Sequence, residues 1–431
     1  MSPESVGIIG IAFLVLLLFA RMWIGLSMAT VGFLGLVYLR GLDGAIGVLG
    51  TVPYKYVAFY PMSAIPLFIF MAMVISNTGI GASLFKTAYT WLGQLRGGLA
   101  MAGVMASGGL AAIMGDSVAE VVTMGQIAVP EMRRYNYDSQ LATGSIAAGG
   151  TLGILIPPSL GFILYGILTE QSVGMLFVAG ILPGILLTCL FLVTIWGITT
   201  LRPSAGPPGS KTRFKEKIVS LKGTWHMLLL FLLIIGGIYG GIFTPTEAGG
   251  VGAFGAIVIS VVSGRFTFKI LFSSLLEATR ITAMIMLLVV GAFIMMKFLA
   301  LSKLPFMLAE NISRLPLPPY AIFAGIIVLY ILLGMFLEIF GAIVLTIPVI
   351  FPLVVKMGFD PIWFGVIIVL VIEMGLITPP VGLNVFALAG VTGIPLDRIF
   401  RGVLPFVGAI IICIILMALF PQIALFLPSL M

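Results

Sequence analysis

Gly149-Gly150-Thr151-Leu152-Gly153-Ile154-Leu155-Ile156-Pro157-Pro158-Ser159 is an apolar run broken by a double proline, and 222 positions later the chain breaks itself again in Glu373-Met374-Gly375-Leu376-Ile377-Thr378-Pro379-Pro380-Val381-Gly382-Leu383-Asn384. The same shift, without gaps, sets Pro130 on Pro352, Asp138 on Asp360, Gly180 on Gly402 and Pro183 on Pro405. It also sets Ala102-Gly103 on Ala324-Gly325, Asp116 on Glu338, Arg134 on Lys356 and Tyr137 on Phe359. Chance similarity between apolar helices would match leucines and isoleucines. Here the matches are glycines and prolines, the residues that fix turns and helix breaks. The chain therefore reads as a duplication whose halves share their interruptions.

Composition says what solvent the halves live in. Of 431 residues, 61% are hydrophobic and 9% charged, with a mean hydropathy of +1.25. Soluble domains carry about 25% charged residues, and no soluble core absorbs this much apolar surface. Runs such as 6–20, 24–39, 227–243, 281–296 and 403–420 each supply most of the roughly 20 apolar residues that cross a bilayer. The expected fold is an all-α polytopic membrane protein. The start, Met1-Ser2-Pro3-Glu4, lacks a basic region, so the first apolar run is expected to be retained as a helix. The net charge of +7 is scattered through loops and makes no basic groove, which argues against a nucleic-acid partner. Cys189, Cys413 and the lone His226 support neither a disulfide framework nor a metal cluster.

The first repeat is expected over 1–199, a basic Pro/Gly/Ser-rich linker over 200–222, and the second repeat over 223–431. Each half holds scaffold spans, a Gly-rich pair too short to cross independently, a broken span and a last span. If the pair is a re-entrant hairpin, at about 97–132 and 319–356, each half crosses five times and the halves are inverted. The broken helices fall at about 139–169 and 361–390. With the linker inside, Arg21, Lys86, Arg96, Arg133, Arg134, Arg202, Lys211, Arg213, Lys215, Lys217, Lys222, Arg265, Lys269, Arg398 and Arg401 are cytoplasmic; Arg40, Lys55, Lys303, Arg314 and Lys356 lie outside. That asymmetry is the one expected of short cytoplasmic loops. It places both termini in the periplasm.

Backbone that leaves the helix within a bilayer must be buried in protein or line a wet cavity, so breaks mark sites. The first hairpin turns at Gly115-Asp116-Ser117, where small residues permit the turn and the side chains offer oxygen. Gly153, Pro157 and Pro158 follow, the prolines removing amide donors and freeing carbonyls. Together these form a candidate cation site of hard oxygens, as Na⁺ needs. The second half repeats it with Glu338 and Gly341 in the hairpin and Thr378, Pro380 and Asn384 at the break. Half-helix N-termini there suit an anion, with Ser117, Ser159, Glu338 and Asn384 as candidate substrate contacts. A proline pair alone also admits the lesser reading of a mere kink; repetition at one offset beside an acid in each hairpin weakens that reading further. Glu120 and Glu373 either work there or pair structurally. Thr246-Glu247 reads as a helix cap, and Glu277 with Arg280 as an intrahelical ion pair. Lys297, or an unpaired Arg280, is the alternative partner for a substrate carboxylate.

These motifs resemble the large membrane subunit of tripartite ATP-independent periplasmic (TRAP) transporters. The resemblance spans nearly the whole chain and is carried by 149–159 with Tyr165-Gly166, 241–248, 334–338 and Thr378-Pro379-Pro380-Val381-Gly382-Leu383-Asn384. Asp116 with Glu120 departs from the Ser- and Ala-rich pattern of many relatives. The resemblance implies Na⁺-driven import of organic acids such as C4-dicarboxylates or sialic acids, by an elevator motion of the hairpins and broken helices, in a bacterial inner membrane. Na⁺ is the implied coupling ion, with no organic cofactor. A small membrane subunit, absent from this chain, and a periplasmic substrate-binding protein are implied partners. The rivals are a stand-alone dicarboxylate or citrate carrier, a passive channel and, remotely, an intramembrane aspartyl protease. Asp138 in a charged loop and Met114 before Gly115-Asp116 fit the protease pattern poorly, so no enzyme is expected.

Overall fold

The computed structural model describes residues 1–79, 81–313 and 316–431. Arg314, one of the basic residues placed outside, lies beyond the described residues. All regular elements are helical. The first half runs α1 (Pro3–Phe19), α2 (Ile24–Val57), α3 (Ala64–Asn77), α4 (Gly81–Leu92), α5 (Gly98–Met114), α6 (Ser117–Arg134), α7 (Ser139–Gly150), α8 (Leu152–Leu155), α9 (Leu160–Thr169) and α10 (Val173–Leu201). A short α11 (Phe214–Ser220) leads to α12 (Trp225–Tyr239), α13 (Pro245–Val262), α14 (Phe268–Ser302), α15 (Leu304–Ser313), α16 (Pro319–Gly334), α17 (Ile339–Lys356), α18 (Pro361–Leu376), α19 (Leu383–Thr392) and α20 (Leu396–Leu419).

The 222-residue offset recurs in these bounds. Helices α6 and α17 start and end 222 residues apart, as do the starts of α1 and α12 and of α7 and α18. Both double prolines, Pro157-Pro158 and Pro379-Pro380, are cis. The halves diverge in the scaffold. Helix α2 is kinked at Gly41, whose φ of +80° and ψ of 169° are not helical, and the chain resumes a helix to Val57, whereas its counterpart α13 stops at Val262 and the chain turns at Gly264. Helix α14 is unbroken over 35 residues, about 50 Å at 1.5 Å per residue, longer than a bilayer core of ~30 Å.

Among the described residues seven helices are long and apolar enough to span a membrane, or nine if each bent pair is one span. Helices α1, α2, α3, α12, α13 and α14 pack mainly on one another, α5–α10 pack mainly with α16–α20, and the two groups meet where α3 packs on α5 and α14 on α17. Helix α4 lies on α5 and α15 on α17. Small residues set the closest approaches, as in membrane bundles. A Cβ on Gly402 of α20 would stand 2.1 Å from the Gln140 carbonyl of α7, and one on Gly291 of α14 would stand 2.1 Å from the Gly25 carbonyl of α2.

Three local expectations change. Glu277 accepts a hydrogen bond from Asn77 Nδ2 at 3.2 Å and makes no ion pair with Arg280, which is exposed; a partner 200 residues away outcompetes one on the same helix. The cap before α13 is Thr244, not Thr246: its hydroxyl takes the Glu247 N–H and Glu247 takes the Thr244 N–H, a reciprocal capping box. The linker, whose Pro/Gly/Ser-rich and basic composition reads as a solvated segment, is docked on the helices. Gly209 N–H donates to the Gly93 carbonyl, Thr212 to that of Thr90 and Trp91 to that of Lys217.

Candidate functional site

Each hairpin turns beside its own half's helix break. In the first, Gly115 ends α5 in the left-handed region at φ +59°, a conformation glycine adopts without steric cost. A Cβ there would lie 3.0 Å from the Pro158 carbonyl, and one on Gly153 would lie 3.3 Å from the Asp116 carbonyl and from Ser117 Cα. Gly115, Asp116, Ser117, Gly153 and Pro158 thus converge, with the Pro158 and Asp116 carbonyls facing the contact. The Ser117 hydroxyl is buried without a hydrogen-bond partner. Asp116 is partly committed: its Oδ1 takes the N–H of Val118 at 2.9 Å and of Ala119 at 3.4 Å, capping α6. Ser159 caps α9 through the Phe162 N–H and is fully buried, and Pro157 beside it is buried as well.

The second site follows the same plan with different chemistry. Gly382 N–H donates to the Met335 carbonyl at 3.3 Å, tying the break to the hairpin turn. Gly382 itself is left-handed at φ +62°, and a Cβ there would stand 3.2 Å from the carbonyls of Leu376 and Thr378. Those carbonyls therefore crowd one point. The Thr378 hydroxyl donates to the Met374 carbonyl at 2.6 Å. Asn384 is fully buried and neither end of its amide has a partner. Glu338 sits at the head of α17 without capping it, half-buried, and interacts electrostatically with Asp116 of the other hairpin. Gly341 faces elsewhere, toward Ile24 of α2. Pro379 and Pro380 are exposed where Pro157 and Pro158 are buried, so the two breaks differ in access.

The two sites interlock. Helix α17 packs on α9 and α19 on α6, so each hairpin touches the half-helix beyond the other half's break. Buried polar groups without hydrogen-bond partners gather by both breaks: Ser107, Ser117 and Glu120 in the first hairpin, and Glu373 and Asn384 on either side of the second break. Glu120 and Glu373 were ambiguous in sequence, and Ser107 carried no signal at all in its Ala/Gly-rich helix. A cavity of about 840 Å³ lies away from the hairpin turns, among Lys55, Tyr56, Glu170, Gln171, Phe293 and Lys297. Tyr56 stacks on Phe293 there, and Lys55 Nζ lies 5.5 Å from the Tyr56 ring centre.

Paired helical hairpins facing broken helices, inside an apolar helical bundle, are the architecture of a polytopic membrane protein. The comparisons make this specific. The family described as "Tripartite ATP-independent periplasmic transporter, DctM component" matches residues 11–423. A C4-dicarboxylate TRAP transporter large permease of Pseudomonas aeruginosa is 35% identical over 400 residues, covering 90% of this chain and 93% of the relative. A sialic acid TRAP transporter large permease of Vibrio cholerae is 32% identical over 418 residues, covering 96% of each. Among solved structures, the Alcanivorax borkumensis YdaH transporter is similar in fold, with a TM-score of 0.63 at 16% identity over 91% of this chain and 89% of that one. The chain belongs to the large-permease family of TRAP transporters, and it is a multi-pass inner-membrane protein.

Proposed function

We propose that this permease imports an organic acid anion, such as a C4-dicarboxylate or sialic acid, driven by Na⁺. The observation that carries the reading is the convergence of oxygens at both breaks: the Pro158 and Asp116 carbonyls by the first hairpin, and the Leu376 and Thr378 carbonyls around Gly382. Na⁺ is a hard cation suited to such carbonyl and hydroxyl ligands. Glu338 and the Asn384 amide are placed to sense the bound charge. Filling both sites offsets the negative field of Asp116 and Glu338 and leaves the N-termini of α17 and α19, which no side chain caps, for a carboxylate.

The hairpins, broken helices, α10 and α20 would move as one body against α1–α3 and α12–α14, carrying the sites across in an elevator motion. The halves are inverted, the linker is cytoplasmic and both termini are periplasmic in this scheme. Lys55 and Lys297 make the large cavity an entry for the anion. A periplasmic binding protein delivers the solute and a small membrane subunit completes the permease. Replacing Ser117 or Thr378 by Ala raises the Na⁺ concentration needed for half-maximal uptake in proteoliposomes. An unchanged Na⁺ requirement in both variants overturns the site assignment.

A further inference from the structure

The segment joining the two halves carries a surface that neither the breaks nor the cavity uses. Between 211 and 222 stand five bases, Lys211, Arg213, Lys215, Lys217 and Lys222, against the single acid Glu216. Glu216 is engaged, its carboxylate taking the Arg213 N–H at 3.0 Å at the head of α11. Among the described residues no acid forms an ion pair with any of the five bases. Apolar side chains share the segment. Phe214, Ile218 and Leu221 follow at i, i+4 and i+7 and so form one stripe, and they are 71%, 52% and 44% exposed. The bases border it: at about 3.6 residues per turn, Arg213 and Lys217 fall along one edge and Lys215 and Lys222 along the other.

Helix α4 holds the segment without covering the stripe. The Thr87 hydroxyl donates to the Ser220 carbonyl at 2.9 Å and the Trp91 indole to the Lys217 carbonyl at 3.2 Å. Both bonds end on main-chain oxygens, which leaves the basic heads free. The stretch 214–223 meets the apolar helix α12 at a bend of 58°, so it approaches the end of a span at a steep angle. An apolar stripe bordered by bases, placed there, is the pattern of a helix seated in the headgroup layer. Bases in that layer attract anionic headgroups, and their long stems cover apolar surface while the charges reach phosphate. A nucleic acid would meet the bases and leave the stripe in water; an anionic bilayer receives both.

We propose that α11 is an anchor for anionic phospholipid: Phe214, Ile218 and Leu221 enter the acyl boundary, and Arg213, Lys215, Lys217 and Lys222 hold headgroup phosphates. The anchor lies on the covalent link between α10 and α12, which belong to different packing groups, and it fixes that link to the membrane surface whatever solute is carried. Native mass spectra of the full chain released from micelles test the lipid. Wild type binds phosphatidylglycerol in preference to phosphatidylcholine, and Arg213→Gln/Lys215→Gln/Lys217→Gln/Lys222→Gln weakens phosphatidylglycerol binding about tenfold. Lys269→Gln/Lys356→Gln/Arg398→Gln, which removes exposed bases elsewhere, leaves it unchanged. Equal loss in both variants, equal affinity for the two lipids, displacement by inorganic phosphate, or a change of oligomer mass in the first variant overturns the anchor. Depth is read separately, on Phe214→Cys in a chain lacking Cys189 and Cys413 and held in phosphatidylglycerol nanodiscs. A spin label there is reached by dissolved oxygen and shielded from a water-soluble nickel chelate, relative to one at exposed Ser210→Cys. Equal exposure to the chelate at both positions places the stripe in water and overturns the seat, even if the lipid-binding variant does not fold.

Discussion

A carboxylate at the head of a helix has two competing uses, and Asp116 shows the nearer one taking one of its oxygens. An acid in an apolar hairpin reads as a cation ligand, yet the free N–H groups of the first turn lie two and three residues away and cost nothing to reach. Sequence spacing located the residue without revealing that commitment. The Glu277–Arg280 pairing failed for a related reason: i,i+3 geometry is visible in sequence, whereas Asn77, brought in by packing, is not. Glycine was the more legible residue. Gly115 occupies a left-handed position, where a Cβ costs roughly 1–2 kcal/mol, and it also touches the Pro158 carbonyl. Gly115→Ala should therefore raise the half-saturating Na⁺ concentration about tenfold, equivalent to ~1.4 kcal/mol. Gly41→Ala, with similar backbone strain and nothing within 4 Å, should lower thermal stability alone. Equal Na⁺ titrations for the two variants would remove Gly115 from the site.

Helix bounds were legible because glycine and proline punctuate them: the shared breaks at Pro157-Pro158 and Pro379-Pro380 align in structure as they do in sequence. What the sequence could not reveal was contact between elements. The linker's apolar Phe214, Ile218, Val219 and Leu221 alternate with lysines, a pattern of a short surface helix, and only the folded chain places it on α4. The same limit applies to the α7–α20 seam, where Gly402 lets two backbones touch. Overpacking such a seam costs about 1–3 kcal/mol. Gly402→Ala is accordingly expected to lower the melting temperature of the purified protein by several degrees, while Gly197→Ala, with no atom within 4 Å of its added methyl, leaves it unchanged. Matching melting curves would place the seam elsewhere.

At the scale of the molecule, the 222-residue offset sets the two breaks in register and divergence explains why they differ. The first break is buried and the second partly exposed, Asn384 matches Phe162 and Ser117 matches Ile339 at the common offset, so the two breaks present unlike side chains on a common plan. Charge asymmetry in the loops bears on orientation. A cysteine at exposed Ser210, in a background lacking Cys189 and Cys413, should be labelled by an impermeant reagent only after the inner membrane is opened; labelling in intact cells reverses the scheme. The solute is the feature least written in this chain, since the relatives named for C4-dicarboxylate and for sialic acid match it at 35% and 32% identity. The decisive measurement is uptake of a panel of organic acids by the permease reconstituted with its small subunit and binding protein, with and without an inward Na⁺ gradient. Accumulation of one carboxylate that needs both the gradient and the binding protein is the predicted result. Accumulation without the binding protein would indicate a stand-alone carrier, and uptake indifferent to Na⁺ would contradict the paired cation sites.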